Sequence, residues 1–75
     1  MGQHEFANEF GRRVRLRRHK LGFSQERLAE AAGLHWSYVS SVERGERNLT
    51  LASVLKLAHG LGVDPGKLVA GLTVD

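Results

Sequence analysis

The stretch of sequence that decides the fold covers residues 24–45 and reads SQERLAEAAGLHWSYVSSVERG. Ser24 is a residue type that caps the N-terminus of a helix, and Gly33 is one that ends a helix in the left-handed conformation. The residues between them have apolar side chains at helical spacing. These boundaries predict a short helix over Gln25 to Ala32.

A second short helix follows at once, over His35 to Arg44. Val39 and Val42 lie three positions apart on it and face the core. Two helices this short, joined by a short turn, must cross steeply, which requires a small residue at the contact and a glycine in the turn. Ala29 and Gly33 meet these requirements. The stretch therefore predicts a helix-turn-helix whose second helix is held against the body on one face and free on the other.

Turn residues on both sides of this motif mark three further helices. The first covers roughly Phe6 to Lys20, the fourth follows a cap at Thr50, and the fifth starts with a cap and a first-turn proline at Asp64-Pro65. No segment alternates like a strand. The sequence thus predicts one all-α domain over residues 1–75, with five helices, the helix-turn-helix at helices 2 and 3, and a disordered end at residues 1–4.

Helical spacing also predicts which residues form the core. The expected core residues are Phe6, Phe10, Val14 and Leu21 from the first helix, Leu28, Ala29, Val39 and Val42 from the second and third, and Leu51, Val54, Leu57, Ala58 and Leu61 from the fourth.

Composition excludes several classes of protein. The chain has 75 residues and no cysteine, so it has neither disulfides nor a thiolate metal site. No stretch approaches the ~18 apolar residues that a membrane span needs, and Glu5 and Glu9 stand where a signal peptide is apolar. The histidines lack metal-site spacing, and the carboxylates do not converge as a catalytic pair would. We therefore expect no enzyme, cofactor, metal, small-molecule ligand or membrane attachment.

The charge pattern indicates a polyanionic partner. The net charge is only +3, but six of the eleven Lys and Arg residues lie between positions 12 and 20. Spread around one helix, most of them would form a solvated shell that adds a general positive field.

Residues 24–63, SQERLAEAAGLHWSYVSSVERGERNLTLASVLKLAHGLGV, resemble the Xre/Cro-type helix-turn-helix family, and the resemblance extends over about Phe10 to Leu72. Within that family, residues 33–51 look most like the controller proteins of restriction-modification systems. The resemblance implies a lambda-repressor-like DNA-binding domain and a transcriptional regulator that binds a pseudo-palindromic operator in double-stranded DNA as a homodimer. It also implies a cytoplasmic protein associated with the nucleoid.

The resemblance further implies which residues contact DNA. Phosphate contacts at the start of the second helix would fall on Ser24 and Gln25. The positions that would read bases are Trp36, Ser37, Ser40 and Ser41, and those that would touch the backbone or neighbouring bases are Tyr38, Arg44, Arg47 and Asn48. Relatives of the controller type commonly have a basic residue followed by Thr where this chain has Trp36-Ser37, so a bidentate contact to guanine is absent there. Arg47 is then the best candidate for a direct base contact.

Trp36 has two interpretations. Its indole either folds back onto the second helix as peripheral core, or stays outside to contact the groove or a partner.

Two structural roles complete the prediction. The family positions imply a largely buried ion pair between Arg18 and Glu43.

Leu55 lies off the fourth-helix stripe, and Val69 and Leu72 lie near the end of a chain too small to cover all its apolar residues. We therefore expect these three residues in an isologous dimer interface, the alternative being that they cap a monomer core.

Two other functions stay open from the sequence. One is an antitoxin or another protein-interaction module on the same fold. The other is sequence-independent nucleic-acid binding through the basic cluster, which would depend strongly on salt and show no sequence preference.

Overall fold

The computed structural model describes residues 5–47 and 49–74. Those ranges contain no strand and five helices, named α1 (Glu5–Lys20), α2 (Gln25–Ala32), α3 (Trp36–Glu43), α4 (Leu51–Leu61) and α5 (Pro65–Val69). The predicted all-α, five-helix class is therefore confirmed. Helix α2 packs against α3 and α4, and α1 packs across α3, α4 and α5. The end predicted to be disordered, residues 1–4, lies outside the described residues.

Local signals mark the helix ends, although α3 is one residue shorter at each end than the predicted His35 to Arg44. The hydroxyl of Ser24 accepts a hydrogen bond from the backbone N–H of Arg27 at 3.0 Å, and the side chains of Thr50 and Asp64 cap α4 and α5 in the same way. Gly33 ends α2 at φ 71°, in the left-handed region. Caps form here because the first N–H groups of a helix have no partner within it.

The core lies where α2 and α3 meet α1 and α4. Its buried residues are Phe10, Val14, Leu28, Ala29, Ala32, Val39, Val42, Val54, Leu57, Ala58, Leu61 and Leu68. Phe6, another predicted core residue, is only half-buried and is not in this set. Two further predicted core residues are wrong. Leu21 is exposed because α1 ends at Lys20 and the chain has already turned, and Leu51 is 74% exposed because it starts α4 before the helix reaches the core.

Two glycines inside helices allow backbones to approach closely, a role that the sequence analysis missed. A Cβ on Gly11 of α1 would collide with the backbone carbonyl of Val42 in α3. A Cβ on Gly60 of α4 would lie only 3.0 Å from the backbone nitrogen and Cβ of Ala32 in α2. Glycine therefore sets the distance at which α1 crosses α3 and α4 crosses α2.

The predicted ion pair between Arg18 and Glu43 is present. The Nε of Arg18 lies 2.6 Å from one carboxylate oxygen of Glu43, and its Nη2 donates to the other at 2.9 Å. Their side chains are 10% and 3% exposed, respectively. Arg18 also donates to the carbonyl oxygen of Phe23 at 2.8 Å, and Gln25 donates to Glu43 at 3.1 Å. The hydrogen bond to Glu43 raises the pKa of Arg18 above its ordinary value, against the effect of burial.

The Glu43→Ala substitution should lower the free energy of unfolding by about 3–5 kcal/mol, because it leaves the Arg18 charge buried without a counterion. Replacing both partners by apolar residues, Arg18→Met with Glu43→Leu, should cost much less. Urea melts followed by circular dichroism measure both. Glu46→Ala, which breaks the exposed pair with Arg44, is the control and should leave the midpoint almost unchanged. A double variant no more stable than the worse single variant would contradict the prediction.

Gly11→Ala should destabilise the fold by roughly 1–3 kcal/mol, because the added Cβ forces α1 away from the backbone of α3. Helix propensity alone would act in the opposite direction, since alanine is the better helix former. Thermal and urea melts test this. Gly66→Ala in α5 is the matched control, because a Cβ there would make only an ordinary contact with Asp64. Equal stability of the Gly11 variant and the native chain would contradict the prediction, because it would mean that the crossing of α1 and α3 accommodates a Cβ.

Candidate nucleic-acid interface

Helix α3 has two faces of different character. Val39 and Val42 are fully buried in the core, whereas Trp36 and Ser37 are exposed and Ser40 is half-buried. The side chain of Ser40 accepts a hydrogen bond from Arg44, which follows the last turn of the helix. The structure therefore places three of the four predicted base-reading residues on the outer part of α3.

The fourth predicted base-reading residue, Ser41, needs a correction. It is only 6% exposed, and its hydroxyl donates to the carbonyl oxygen of Tyr38 at 2.9 Å. The same oxygen accepts a hydrogen bond from the Nε of Arg47, also at 2.9 Å. Ser41 is covered because the chain turns back after α3: the backbone N–H of Glu46 donates to the Ser41 carbonyl oxygen at 3.0 Å, and Arg47 lies against its hydroxyl. The Ser41 hydroxyl is therefore engaged within the fold.

Arg47 is held on two sides although it is exposed. Its guanidinium carbon lies 5.2 Å from the centre of the Tyr38 ring, and its Nε is engaged by Ser41. The hydroxyl of Tyr38 donates to Ser53 of α4 at 3.0 Å, which fixes the ring. Among the described residues, none accepts a hydrogen bond from the terminal nitrogens of Arg47. Asn48, its neighbour and another predicted contact, lies outside the described residues.

The start of α2 carries the two predicted phosphate contacts. Ser24 uses its hydroxyl as the helix cap, so the oxygen faces the first turn of α2. Gln25 is half-buried, and its amide donates to Glu43 at 3.1 Å. The sequence analysis did not foresee this link, which ties the start of α2 to the last residue of α3. The one hint in the sequence was the assignment of Glu43 to the ion pair, because a buried carboxylate can accept hydrogen bonds from more than one side chain.

His35 caps the N-terminus of α3 through its ring nitrogen. The Nδ1 of its ring accepts a hydrogen bond from the backbone N–H of Ser37 at 3.1 Å and lies 2.7 Å from the Ser37 hydroxyl oxygen. The ring stacks against Trp36, with centroids 6.0 Å apart and planes inclined by 29°. Trp36 is 50% exposed and is not among the residues that pack on the core. Of its two interpretations, the structure favours the exposed one.

Several residues of the basic cluster on α1 make contacts within the fold. Arg12 and Arg13 both bind Glu9, at 2.8 and 2.9 Å, and their hydrogen bonds lower the pKa of Glu9 to about 2. Arg13 also donates to the carbonyl oxygens of Leu68 and Ala70 at the α5 end, and Arg17 donates to that of Leu61. The cluster therefore serves packing as well as the positive field.

An apolar surface lies on the C-terminal side of the molecule. Val69 is exposed there, and Leu72 is half-buried and packs partly against the core. They line an open groove of about 240 Å³, formed by Phe6, Phe10, Leu49, Val54, Val69, Leu72, Thr73 and Val74. Two of the three predicted interface residues thus lie on this surface, whereas Leu55 is exposed on α4 and does not line the groove.

Other kinds of site find no support in the part of the chain that the structure describes. No group of three or more His, Asp or Glu side chains there could hold a metal ion. None of the described helices is long and apolar enough to cross a bilayer.

Comparisons with known proteins agree with this geometry. The model of the helix-turn-helix family matches residues 14–68. The control protein C.BamHI of Bacillus amyloliquefaciens is 42% identical over 66 residues, which cover 87% of this chain and 82% of that protein. The control protein C.SmaI of Serratia marcescens is 48% identical over 56 residues, which cover 75% of this chain and 67% of that protein.

Solved structures give the same result. The crystal structure of the restriction-modification controller protein C.AhdI from Aeromonas hydrophila superimposes with a TM-score of 0.81 and 48% identity, covering 83% of this chain and 94% of that one. A hypothetical transcription factor from Neisseria superimposes with a TM-score of 0.82 and 39% identity, covering 85% and 74%. The chain therefore belongs to the helix-turn-helix family of DNA-binding transcriptional regulators.

Proposed function

We propose that this protein regulates transcription as a homodimer that binds a pseudo-palindromic operator, with one α3 helix in the major groove of each half-site. The observation that carries the proposal is the division of α3 into a face buried by Val39 and Val42 and an exposed polar end at Trp36 and Ser37. A helix held in this way has the width that the major groove admits, and its free side chains can reach base edges.

Base recognition is assigned to Trp36, Ser37 and Ser40 on α3 and to Arg47 after it. The support for Arg47 is its preorganisation, because Tyr38 and Ser41 hold the guanidinium while leaving its terminal nitrogens without a described partner. Two parallel N–H groups match the O6 and N7 acceptors of guanine. Ser24, Gln25 and Arg44 would contact phosphates, since the backbone N–H groups at the start of α2 favour an anion.

The dimer is proposed to form through the apolar C-terminal surface. Val69 is exposed at the apolar groove, and Leu55 is exposed on α4. A small domain gains stability by burying such a patch against a second copy. Pairing at this surface would also leave both α3 helices free to reach successive major grooves, about 34–36 Å apart.

The proposal for which genes the protein regulates is based on its similarity to known control proteins. Two control proteins and a restriction-modification controller resemble this chain over most of its length, so we assign it to the control of a restriction-modification system. Dimerisation and operator binding both depend on protein concentration, which would let the chain respond to its own abundance. It would act in the cytoplasm, at the nucleoid.

In vitro selection of duplex sites from a random library tests this function. The expected result is a pseudo-palindrome whose half-sites lie about 10 base pairs apart, centre to centre. Binding to the selected and to a random duplex is then measured across salt concentrations. Equal affinities with the full salt dependence would mean phosphate-only binding and would overturn the proposal. A toxin gene beside this gene would favour the antitoxin function instead.

Arg47→Ala should reduce discrimination at particular operator positions by about 1–3 kcal/mol, because it removes a direct base contact. Gln25→Ala should weaken binding to all DNA sequences about equally, because it removes a proposed contact to a DNA phosphate. Fluorescence anisotropy with the selected operator and single-base-pair variants measures both effects. Arg12→Ala removes the same charge from α1 and is the control, which should leave the base preference intact. Equal losses on specific and random DNA for both test variants would contradict the assignment.

Leu55→Glu with Val69→Glu should shift the dimer to monomer, because it places charges in the proposed interface. Leu72 is less suited to this test because it also packs against the core. Sedimentation equilibrium at micromolar concentration gives the mass. Leu16→Glu on α1 is the matched control, because Leu16 is 51% exposed and Leu55 is 47% exposed. A monomeric native chain, or a double variant that dimerises as well as the native chain, would contradict the interface.

A further inference from the structure

The first turn of α3 contains two hydrogen bonds to one nitrogen atom. The Nδ1 of His35 lies 3.1 Å from the backbone nitrogen of Ser37 and 2.7 Å from the Ser37 hydroxyl oxygen. A backbone N–H can only donate. The Nδ1 of His35 therefore has its lone pair free to accept and carries no proton, and the ring proton is on Nε2.

This arrangement fixes the proton of the Ser37 hydroxyl. Because Nδ1 of His35 has no proton to give, the hydroxyl is the donor in the 2.7 Å contact, and it shares the single lone pair of Nδ1 with the backbone N–H. A serine hydroxyl has one proton and two lone pairs, so Ser37 has only acceptor capacity left for other partners. Turning the proton toward a ligand would break the hydrogen bond to His35.

Ser40, one turn further along α3, differs from Ser37 in this respect. Its hydroxyl oxygen accepts a hydrogen bond from Arg44, so its own proton stays available for donation. Among the described residues, none accepts that proton. Two serines on the same helix therefore offer different hydrogen-bonding groups, although the sequence letters are the same.

We propose that His35 determines base specificity by keeping Ser37 as a hydrogen-bond acceptor, so that Ser37 selects an exocyclic amine in the major groove. The amine belongs to adenine N6 or cytosine N4, the major-groove donors of DNA. Guanine O6 and N7 and thymine O4 are acceptors, and they would face the lone pairs of Ser37 without a proton between them. This inference rests on the proposed function, and it gives His35 a positioning role that the family resemblance does not imply.

The experiment starts from the selected operator and uses Ser37→Ala to find the base pair at which preference relaxes. At that pair, the amine is removed from the major groove by replacing adenine with 2-aminopurine or cytosine with pyrimidin-2-one. The native protein should lose roughly three- to tenfold in affinity, the value of one hydrogen bond. Ser37→Ala should lose less than about twofold on the same replacement, because it has no acceptor to begin with.

Two substitutions of His35 separate the positioning role from a merely structural one. His35→Ala frees the Ser37 proton, so the hydroxyl can donate to an acceptor as well as accept from the amine. The preference for the amine over an O4 or O6 acceptor at that pair should therefore fall to within about twofold. His35→Asn restores an uncharged acceptor at the helix cap, so the preference for the amine over the acceptor should return. The base preference at positions read by Ser40 should be unchanged in both variants, which serves as the internal control.

The possible outcomes distinguish this inference from the proposed function. Selection that returns no preferred sequence overturns both. A clear operator in which Ser37→Ala relaxes no position overturns only the inference. So does one in which His35→Ala keeps the preference for the amine over the acceptor, or in which His35→Asn fails to restore that preference. A long-range proton–nitrogen correlation spectrum of the free protein tests the premise directly. It should show the His35 proton on Nε2, and a proton on Nδ1 would also overturn the inference.

Discussion

The bidentate ion pair between Arg18 and Glu43 is the interaction on which the arrangement of the first three helices depends. It joins the last turn of α1 to the last residue of α3, and Gln25 adds the first residue of α2 to the same carboxylate. A buried pair of charges adds little net stability over apolar packing, but a misaligned pair leaves charges without partners at a high cost. The pair therefore restricts the three helices to a geometry in which every one of its hydrogen bonds is made, including that to Phe23. Gly11 then allows α1 to lie directly on the backbone of α3.

With the three helices fixed in this way, several side chains on α3 and just after it are already held in one conformation. Ser41 and Tyr38 hold Arg47, Tyr38 is tied to Ser53 of α4, and His35 holds the hydroxyl of Ser37. Side chains that are already ordered lose less conformational entropy on binding than free ones, so such contacts favour both affinity and selectivity. The chain has no arginine at position 36, and an arginine beyond the helix, held by a buried serine, offers the planar donor group instead.

The basic residues of α1 show why a charge count alone predicts little about binding. Arg13 and Arg17 bind carbonyl oxygens near the ends of α4 and α5, where the unpaired carbonyls of a helix favour a positive charge. Arg12 and Arg13 also share Glu9, whose pKa falls to about 2 for that reason. Part of the basic cluster that first indicated a polyanionic partner therefore makes contacts that stabilise the fold. The proposed DNA contacts therefore depend on α3 and the turn after it more than on this cluster.

The sequence by itself determined the features that depend on neighbouring residues. The caps at Ser24 and Thr50, the left-handed end at Gly33 and the five helices all follow from interactions within a few positions, so local reasoning finds them. The family resemblance supplied the partner of Arg18, which lies 25 residues away and which no local signal indicates.

Only the tertiary structure decided which polar side chains are free to meet a ligand. Helical spacing gives the residues that share a face, but it does not say how far the neighbouring helices cover that face. Leu51 is therefore outside, contrary to the prediction from spacing, and Ser41 is inside, contrary to what the resemblance implied. The same limit applies to His35, because the state of its proton depends on where the backbone and hydroxyl of Ser37 lie in space, and a sequence does not contain those positions.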